Sequence, residues 1–413
     1  LRADTPTLTA DSTITLGGLL TTFSNTLTNA IAVTSNNRAI VDGGDSHVDA
    51  VAAAGIIALS APSGIGTANA IETTGTRLSA SSNNNDIRVT ETDGIVALFL
   101  SAGTGDVFLT AGGAITDTDG STDITADDAS ITISTAGAAL GTSSNAVDVL
   151  LSTLVTSTNA ADQYLSTSTT VTIGNGDLSS GAANTVHLVS GGWFTTSTGG
   201  DINGKAEVQG AAVLAGNGTV TGSVSTVSGA IIDPGISTAG VLTTGPIDFA
   251  SGVTFNVEID GNSPGIGAGF HDQLVTTGNV TINSATVTLT TLGYTPQDGD
   301  SYKIINNGGA GAVSGTFSGY PQGQITPNFL GSPYFMRIDY AGGDGNDVVL
   351  EIFSADTSVD IDGSGNLVIT DINTTTNDAL TISLNAAGTH YIITDPDRKS
   401  TRLNSSHIPL SRM

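Results

Sequence analysis

The feature that most limits the fold of this chain is its division into short strand-like runs separated by turn residues. Many apolar or alternating runs are four to six residues long and end at Gly, Asn or Asp, whereas helical spacing of apolar residues is hard to find. Examples are "DIRVTET" at 86–92, "ASITIST" at 129–135 and "TVTIGNG" at 170–176. Such alternation is typical of half-buried strands, and Gly and Asn supply the turns between them. We therefore predict an all-β chain.

A long-range internal repeat in the sequence, which we call the echo, indicates that the strands stack in repeating coils. "GIGTANAIETTGTRLSASSNNND" begins at Gly64, and "ALGTSSNAVDVLLSTLVTSTNAAD" begins at Ala139. With one inserted residue, the alignment matches Ile65 with Leu140, Asn69 with Asn145, Ile71 with Val147, Glu72 with Asp148, Leu78 with Leu154 and Asp86 with Asp162. A period near 76 would contain roughly three to four coils of about 20–25 residues each. We predict a β-solenoid over residues 1–205, in which each coil buries its inner face against its neighbours.

The charge balance excludes several classes of partner. The chain has 38 Asp and Glu against 11 Lys and Arg, so its formal net charge is −27. A surface so poor in basic residues does not neutralise phosphates, so we predict no nucleic-acid partner and disfavour anionic membranes. No apolar run reaches the roughly 18 residues of a transmembrane helix, so no transmembrane segment is predicted. Cysteine is absent, which excludes thiol chemistry, Cys-based zinc sites and disulfides.

Three Asp-rich turns are candidate calcium sites, and no other cofactor is predicted. "DTDGSTD" places Asp117, Asp119 and Asp123 around a Gly turn. "GGDGNDVVL" at 342–350 fits the calcium nonapeptide of β-helix repeats, with Asp344 and Asp347 as ligands. The alternative interpretations are a solvated turn for the first segment and a Gly/Asn turn leading into the strand "VVLEIF" for the second.

The third acidic turn, "DIDGSGN" at 360–366, has offsets like those of an EF-hand. Asp360 and Asp362, with Ser364 and Asp371, occupy the ligand positions of that pattern. No flanking helices are visible, however, and Val368 falls where a polar ligand is usual. The alternative is a β-hairpin in which "SVDID" turns back into "NLVITD".

The sequence favours a protein without catalytic activity. A carbohydrate-active β-helix enzyme is the alternative, and it would need acidic pairs that converge with a cation. Arg77 and Arg88 are the only basic residues between 39 and 204, and Trp193 is the only tryptophan available for sugar stacking. His47 and His187 have no partner spacing that indicates a metal site or a catalytic triad.

Residues 206–353 resemble a known family. The blocks "VLAGNGTVTGSVSTVSGAIIDPG" (213–235), "HDQLVTTGNVTINSATVTL" (271–289) and "YAGGDGNDVVLEI" (340–352) follow the order of autotransporter-associated β-strand repeats. Residues 1–205 look more loosely like filamentous-haemagglutinin-type surface proteins, and 354–396 read as a truncated β-module. The resemblance implies a right-handed parallel β-helix followed by a β-rich repeat module. It also implies export to the extracellular surface of a Gram-negative bacterium.

The predicted function follows from that resemblance. We expect a non-catalytic passenger or stalk segment of a large exported surface protein, adhesin-like, acting in attachment or surface display. Its partners would be glycans or proteins on host or neighbouring cells. Besides the enzyme, a calcium-stabilised structural module of the S-layer type is an alternative. The chain opens at Leu1 without Met, so we expect a fragment of a longer protein.

The last 17 residues differ from everything before them. "DRKSTRLNSSHIPLSRM" at 397–413 contains four of the 11 basic residues. It resembles the in-frame translation of a common short-read sequencing adapter, so we interpret it as a non-native tail and expect the natural chain to continue past Pro396. The alternative is a basic interaction tail.

Overall fold

The structure is a computed structural model that describes most of the chain. It covers residues 7–17, 20–22, 29–45, 47–52, 54–189, 191–197, 199–354, 357–361, 367–371, 381–384 and 391–394. Within these ranges there are strands and one 3-10 turn, Phe329–Gly331, but no α-helix. The prediction of an all-β chain is therefore confirmed. No described helix has the length and hydrophobicity needed to cross a membrane.

The strands are short throughout, as the runs in the sequence predict. In chain order, the first half of the chain contains β1 (Thr7–Ala10), β2 (Ile14–Leu16), β3 (Leu20–Thr22), β4 (Asn29–Ser35), β5 (Ile40–Asp42), β6 (Ala50–Ala52), β7 (Ile56–Ser60), β8 (Ile71–Thr74), β9 (Arg77–Ser81), β10 (Ile87–Glu91), β11 (Ala97–Ser101), β12 (Val107–Ala111), β13 (Ile124–Thr125), β14 (Asp128–Ile133), β15 (Val147–Leu150), β16 (Thr153–Thr158), β17 (Gln163–Thr167), β18 (Thr170–Ser179), β19 (Thr185–Leu188), β20 (Trp193–Thr196) and β21 (Ile202–Asn203).

The second half continues in the same manner. It contains β22 (Lys205–Val208), β23 (Val213–Gly216), β24 (Thr219–Val220), β25 (Val224–Thr226), β26 (Ile231–Pro234), β27 (Val241–Thr244), β28 (Ile247–Phe249), β29 (Thr254–Glu258), β30 (Gln273–Thr276), β31 (Val280–Asn283), β32 (Thr286–Thr290), β33 (Ser301–Asn307), β34 (Ser314–Thr316), β35 (Ile325–Thr326), β36 (Phe335–Gly342), β37 (Asp347–Phe353), β38 (Thr357–Ile361), β39 (Leu367–Asp371), β40 (Thr381–Leu384) and β41 (Tyr391–Thr394).

One 14-stranded parallel sheet, which we call sheet B, runs through the larger part of the chain. Its order is β1-β4-β7-β9-β11-β13-β15-β17-β19-β22-β25-β28-β31-β34. Paired residues on neighbouring strands are 18 to 27 residues apart in sequence, except in the last two steps, where the spacing is 33. At about 4.8 Å per strand the sheet extends about 60 Å. This recurrence of parallel strands once per turn of chain is a parallel β-solenoid, as predicted, while its right-handed winding stays a prediction.

A second set of strands, which we call sheet A, alternates with the strands of sheet B along the chain. The number of strands that each turn contributes to sheet A changes along the chain. From β6 through β8, β10, β12, β14 and β16 each turn contributes one strand. The long strand β18 then pairs with β20 through its first half and with β21 through its second half. From there each turn contributes two strands to sheet A and one to sheet B. The antiparallel pairing of β33 with β37 ends the second of these two ladders.

Rows of apolar side chains fill the interior. Ile57, Leu78 and Leu98 occupy the same rung of successive strands in sheet B, and all three are buried. Each such side chain contributes roughly 1.5–3 kcal/mol when removed from water. Towards the end of sheet B the core becomes aromatic. Phe249, Phe255 and Phe317 are buried there, with ring centroids 5.5–6.2 Å apart.

The echo in the sequence is a structural duplication. In the first copy, Ile65 and Ile71 pair with the first and third residues of β10, and residues 66–70 loop out between them. In the second copy, Leu140 and Val147 pair with the first and third residues of β17, and residues 141–146 loop out. The inserted residue of the alignment therefore lies in the second loop. The copies lie on different sheets, because β8 belongs to sheet A and β15 belongs to sheet B.

The chain divides into two compact units. The larger unit comprises residues 1–295, 300–325 and 337–351, and it contains both sheets. The boundary predicted after residue 205 does not interrupt sheet B, since Val186 pairs with Ala206 across it. That boundary stays a prediction, and the change in sheet A at β18 lies close to it.

The smaller unit comprises residues 296–299, 326–336 and 352–413. Within it, the rings of Phe335 and Phe353 stack at 5.8 Å, and Ser354 N donates to Asp298 Oδ1 at 2.6 Å. Strands β38 and β39 form an antiparallel pair, which confirms the predicted hairpin, and β40 pairs with β41 in the same way. The tail at 397–413 lies outside the described residues.

Candidate metal centre

Three acidic residues from two successive turns of the solenoid converge, two from just before the first copy of the duplication and one from within it. Asp42 ends β5, Asp49 immediately precedes β6, and Glu72 lies in β8, which pairs with β6. Each offers a carboxylate oxygen, and these oxygens all lie within 4.8 Å of one another. We call Asp42, Asp49 and Glu72 the first triad.

Backbone hydrogen bonds fix the first triad in place. Asp49 N donates to Glu72 O at 2.9 Å, and Glu72 N donates to Asp49 Oδ2 at 3.3 Å. Asp42 closes a tight turn, because its Oδ2 accepts a hydrogen bond from Gly44 N at 2.9 Å. These contacts extend the β6–β8 ladder by one rung, so the side chains are positioned by the sheet itself.

The remaining carboxylate oxygens of the first triad lack hydrogen-bond donors. Asp42 Oδ1, Asp49 Oδ1 and Glu72 Oε2 are buried and have no hydrogen-bond partner among the described residues. The residues Asp42 and Asp49 are only 7% and 1% exposed. Buried polar atoms are normally satisfied, so three unsatisfied acceptors in one place indicate a missing positive partner.

Burial and mutual repulsion disfavour a fully ionised first triad. Burial raises the pKa of Asp49 to about 7, against the opposing effect of the Glu72 N–H, and the charges of Asp42 and Glu72 raise it further. Burial, and next the charge of Asp42, also raises the pKa of Glu72. Such a cluster lowers its charge by binding either a proton or a cation.

An equivalent cluster lies at the second copy of the duplication: the second triad of Asp117 and Asp123, which precede the copy, and Asp148 within it. Their carboxylate oxygens also lie within 4.8 Å of one another. Asp123 N donates to Asp148 O at 2.9 Å, and Asp148 N donates to Asp123 Oδ2 at 2.8 Å, as in the first triad. Asp117 closes a turn by accepting from Asp119 N at 3.1 Å. Burial, despite the Asp148 N–H, raises the pKa of Asp123 to about 8, and Asp117 is the first of the neighbouring charges that raise it further.

The second triad is better supplied with donors. Asp148 Oδ1 accepts a hydrogen bond from Ser166 Oγ, and Asp117 Oδ1 accepts another from Thr118 N at 2.6 Å. Unlike the first triad, its described carboxylate oxygens include none that is buried without a partner.

The sequence predicted two members of the second triad and missed the rest. The structure brings Asp117 and Asp123 together, whereas Asp119 is exposed and accepts a hydrogen bond from Ser121 N at 2.8 Å. Asp148 and the whole first triad were not proposed as ligands. A signal was present, because the echo matched Glu72 with Asp148. Extending it upstream aligns "IVDGGDS" at 40–46 with "ITDTDGS" at 115–121.

The structure places the other predicted calcium ligands differently. Asp344 is exposed in a turn, while Asp347 is buried, with Oδ2 2.6 Å from Lys303 Nζ and Oδ1 accepting from Asn307 N at 2.9 Å. Neither belongs to a described acidic cluster. This turn leads into β37, which matches the alternative interpretation of the segment.

The EF-hand-like segment is only partly described. Asp360 pairs with Val368 in the hairpin ladder of β38 and β39, and Asp371 pairs with Thr357. The candidate ligand Asp362, like Ser364, lies outside the described residues.

Two of the residues considered for catalysis or metal binding, Arg88 and His187, contact residues of neighbouring turns. Arg88 lies 2.9 Å from Asp86 Oδ2, and its guanidinium covers the ring of Phe108 at 3.7 Å. His187 stacks on Tyr164 at 4.1 Å, and its Nδ1 lies 2.5 Å from Glu207 Oε2. Tyr164, His187 and Glu207 are neighbours on successive strands of sheet B, so this row is a polar ladder along the sheet.

Comparisons with known proteins do not assign the chain. No protein family, no curated protein and no solved structure matches it.

Proposed function

We propose that this chain is a non-catalytic stalk segment of an exported bacterial surface protein, adhesin-like, which acts in attachment or surface display. The observation that carries the proposal is the unbroken parallel pairing of the 14 strands of sheet B. In a ladder of this kind each turn contacts only the turns next to it, and each added turn makes the ladder longer. Such a fold is suited to spanning a distance.

The chemistry of the surface supports the same role. The net charge of −27 arises from scarce basic residues, which disfavours nucleic acid and anionic lipid as partners. The resemblance of residues 206–353 to autotransporter-associated repeats supports export across the envelope of a Gram-negative cell. Partners on host or neighbouring cells would then be glycans or proteins.

The direct test is surface labelling of intact source cells with antibodies raised against the purified chain. We expect labelling without permeabilisation and its loss after brief protease treatment of whole cells. An antibody against a cytoplasmic protein, run in parallel, controls for lysis. Labelling that requires permeabilisation would contradict surface display.

Attachment is tested separately with beads that carry the purified chain. We expect such beads to bind to host cells or glycan-coated surfaces more than beads that carry an unrelated acidic protein do. The carbohydrate-active alternative predicts instead that neutral and acidic polysaccharides gain new reducing ends when incubated with the chain.

A further inference from the structure

The first triad is built like a site whose ligand is a cation. Asp42 Oδ1, Asp49 Oδ1 and Glu72 Oε2 are buried and unpartnered among the described residues, and the described ion pairs include none with a basic residue at the triad. Asp42 and Asp49 are more than nine-tenths buried, so bulk solvent does not reach their carboxylates. Oxygens in this condition cost free energy unless a positive group joins them.

We infer that Asp42, Asp49 and Glu72 bind one Ca²⁺ ion that links two successive turns of the solenoid. All donors are carboxylate oxygens, which suit a hard cation. Ca²⁺ makes bonds of about 2.3–2.6 Å, so one ion reaches oxygens up to about 5 Å apart. The three carboxylates, whose oxygens lie within 4.8 Å of one another, fall inside that reach.

The position of the site gives the ion a structural consequence. Asp42 and Asp49 belong to one turn, and Glu72 belongs to the next, where Thr73 pairs with Ala50. The bound ion therefore joins the two turns beside the short strand β6 and also closes the loop between β5 and β6. Calcium binding and the proposed stalk function are independent, since the site exists whether or not the chain is displayed on a cell.

The experiment is a calcium titration of the full chain after treatment with a chelator. Calorimetry measures the affinity, and thermal unfolding in CaCl₂ and in chelator measures the shift in Tm, with NaCl of equal ionic strength as the reference. We expect saturable binding and a Tm higher by several degrees in millimolar CaCl₂. Asp49→Asn, which keeps size and shape, should weaken the affinity of this site at least tenfold and remove most of the Tm shift.

Two further variants keep the test decisive. Glu72→Gln should act like Asp49→Asn, and it alters a partly exposed residue, so the fold is not at risk. The control, Asp93→Asn, neutralises an exposed Asp outside both triads and should leave the calcium response unchanged. The inference is overturned if calcium does not bind saturably, if both triad variants keep the wild-type response, or if MgCl₂ produces the same shift as CaCl₂.

Discussion

The two acidic triads have the same backbone framework but differ in how their carboxylates are satisfied. In both, an Asp before a short strand exchanges hydrogen bonds with an acidic residue of the next turn. In the first triad three oxygens remain without donors, whereas in the second triad Ser166 and Thr118 supply donors. The backbone framework therefore brings the acidic side chains together, and the number of hydrogen-bond donors around them sets how much a bound cation would stabilise the cluster. The predictions below test that distinction.

The largest effect is expected from breaking the loop that both copies share. Gly66 and Gly141 begin the two loops with φ of 65° and 75°, and an added Cβ would lie 2.3 Å from Arg88 O and 2.5 Å from Tyr164 O respectively. Either residue changed to Ala should lower the free energy of unfolding by about 2–4 kcal/mol, because strain and a backbone clash add. Urea unfolding measures it.

A control for backbone strain alone is available at Gly137. It also has a positive φ, 77°, but an added Cβ meets nothing within 4 Å. Gly137→Ala should cost only about 1 kcal/mol. Equal losses of unfolding free energy in Gly137→Ala and Gly66→Ala would show that the close approach of the added Cβ to the backbone in the shared loop does not contribute to the destabilisation.

The buried carboxylate of Asp272, which lies outside the triads, allows the effect of carboxylate burial to be measured from the pH dependence of stability. Burial raises the pKa of Asp272 to about 8, although Glu258 N and Gly240 N both donate to it. The folded state thus retains a proton that the unfolded state loses near pH 3.8, so stability falls as pH rises from 3.8 to about 8. The free energy of unfolding therefore has a negative slope against pH. With calcium removed by chelator, Asp272→Asn should reduce the steepness of that slope by up to about 1.4 kcal/mol per pH unit.

Measuring urea unfolding across that pH range tests this prediction. Ser152→Ala, at an exposed position, serves as the control, and it should leave the slope unchanged because no titratable group is altered. A slope that persists in full in Asp272→Asn would mean that this carboxyl is ionised in the folded state.

The calcium response should divide unequally between the triads. Asp123→Asn should remove less than half of the Tm shift that Asp49→Asn removes, because the second triad already has donors from the protein. Asp127→Asn is the matched control, since Asp127 is exposed and outside the triad. Equal losses at Asp49 and Asp123 would show that donors do not set the demand for a cation.

The smallest effect is expected from making the second triad resemble the first. Ser166→Ala removes the hydroxyl that donates to Asp148, and it should lower stability in chelator by about 1 kcal/mol. It should also enlarge the shift in Tm that calcium produces. Ser152→Ala, at an exposed position, should change neither quantity. An unchanged calcium response in Ser166→Ala would contradict the proposed role of that donor.

The strands could be predicted because their signal is local. Alternation within a run such as 86–92 reports which side chains face inward, and the structure buries Ile87, Val89 and Glu91 there. The hairpin of β38 and β39 was predictable for the same reason, since both strands and their turn lie within a few residues.

The triads could not be predicted in full because their geometry depends on register between turns. Asp49 and Glu72 are 23 residues apart, and the spacing between paired strands varies from 18 to 33, so counting along the sequence does not identify the partner. The calcium-like turn at 342–350 illustrates the converse. Its Asp347 meets Lys303 only because β37 pairs antiparallel with β33, a contact that no local pattern encodes.

The placement of the two matched segments on different sheets has a geometric consequence. A spacing equal to a whole number of turns would place both segments on the same sheet. Instead, β8 lies in sheet A and β15 in sheet B, so the spacing between the segments is not a whole number of turns. The two segments therefore share a pair of neighbouring rungs, with their loop and acids, rather than a position around the turn. Searches for internal repeats in such chains should compare rungs and loops rather than complete turns.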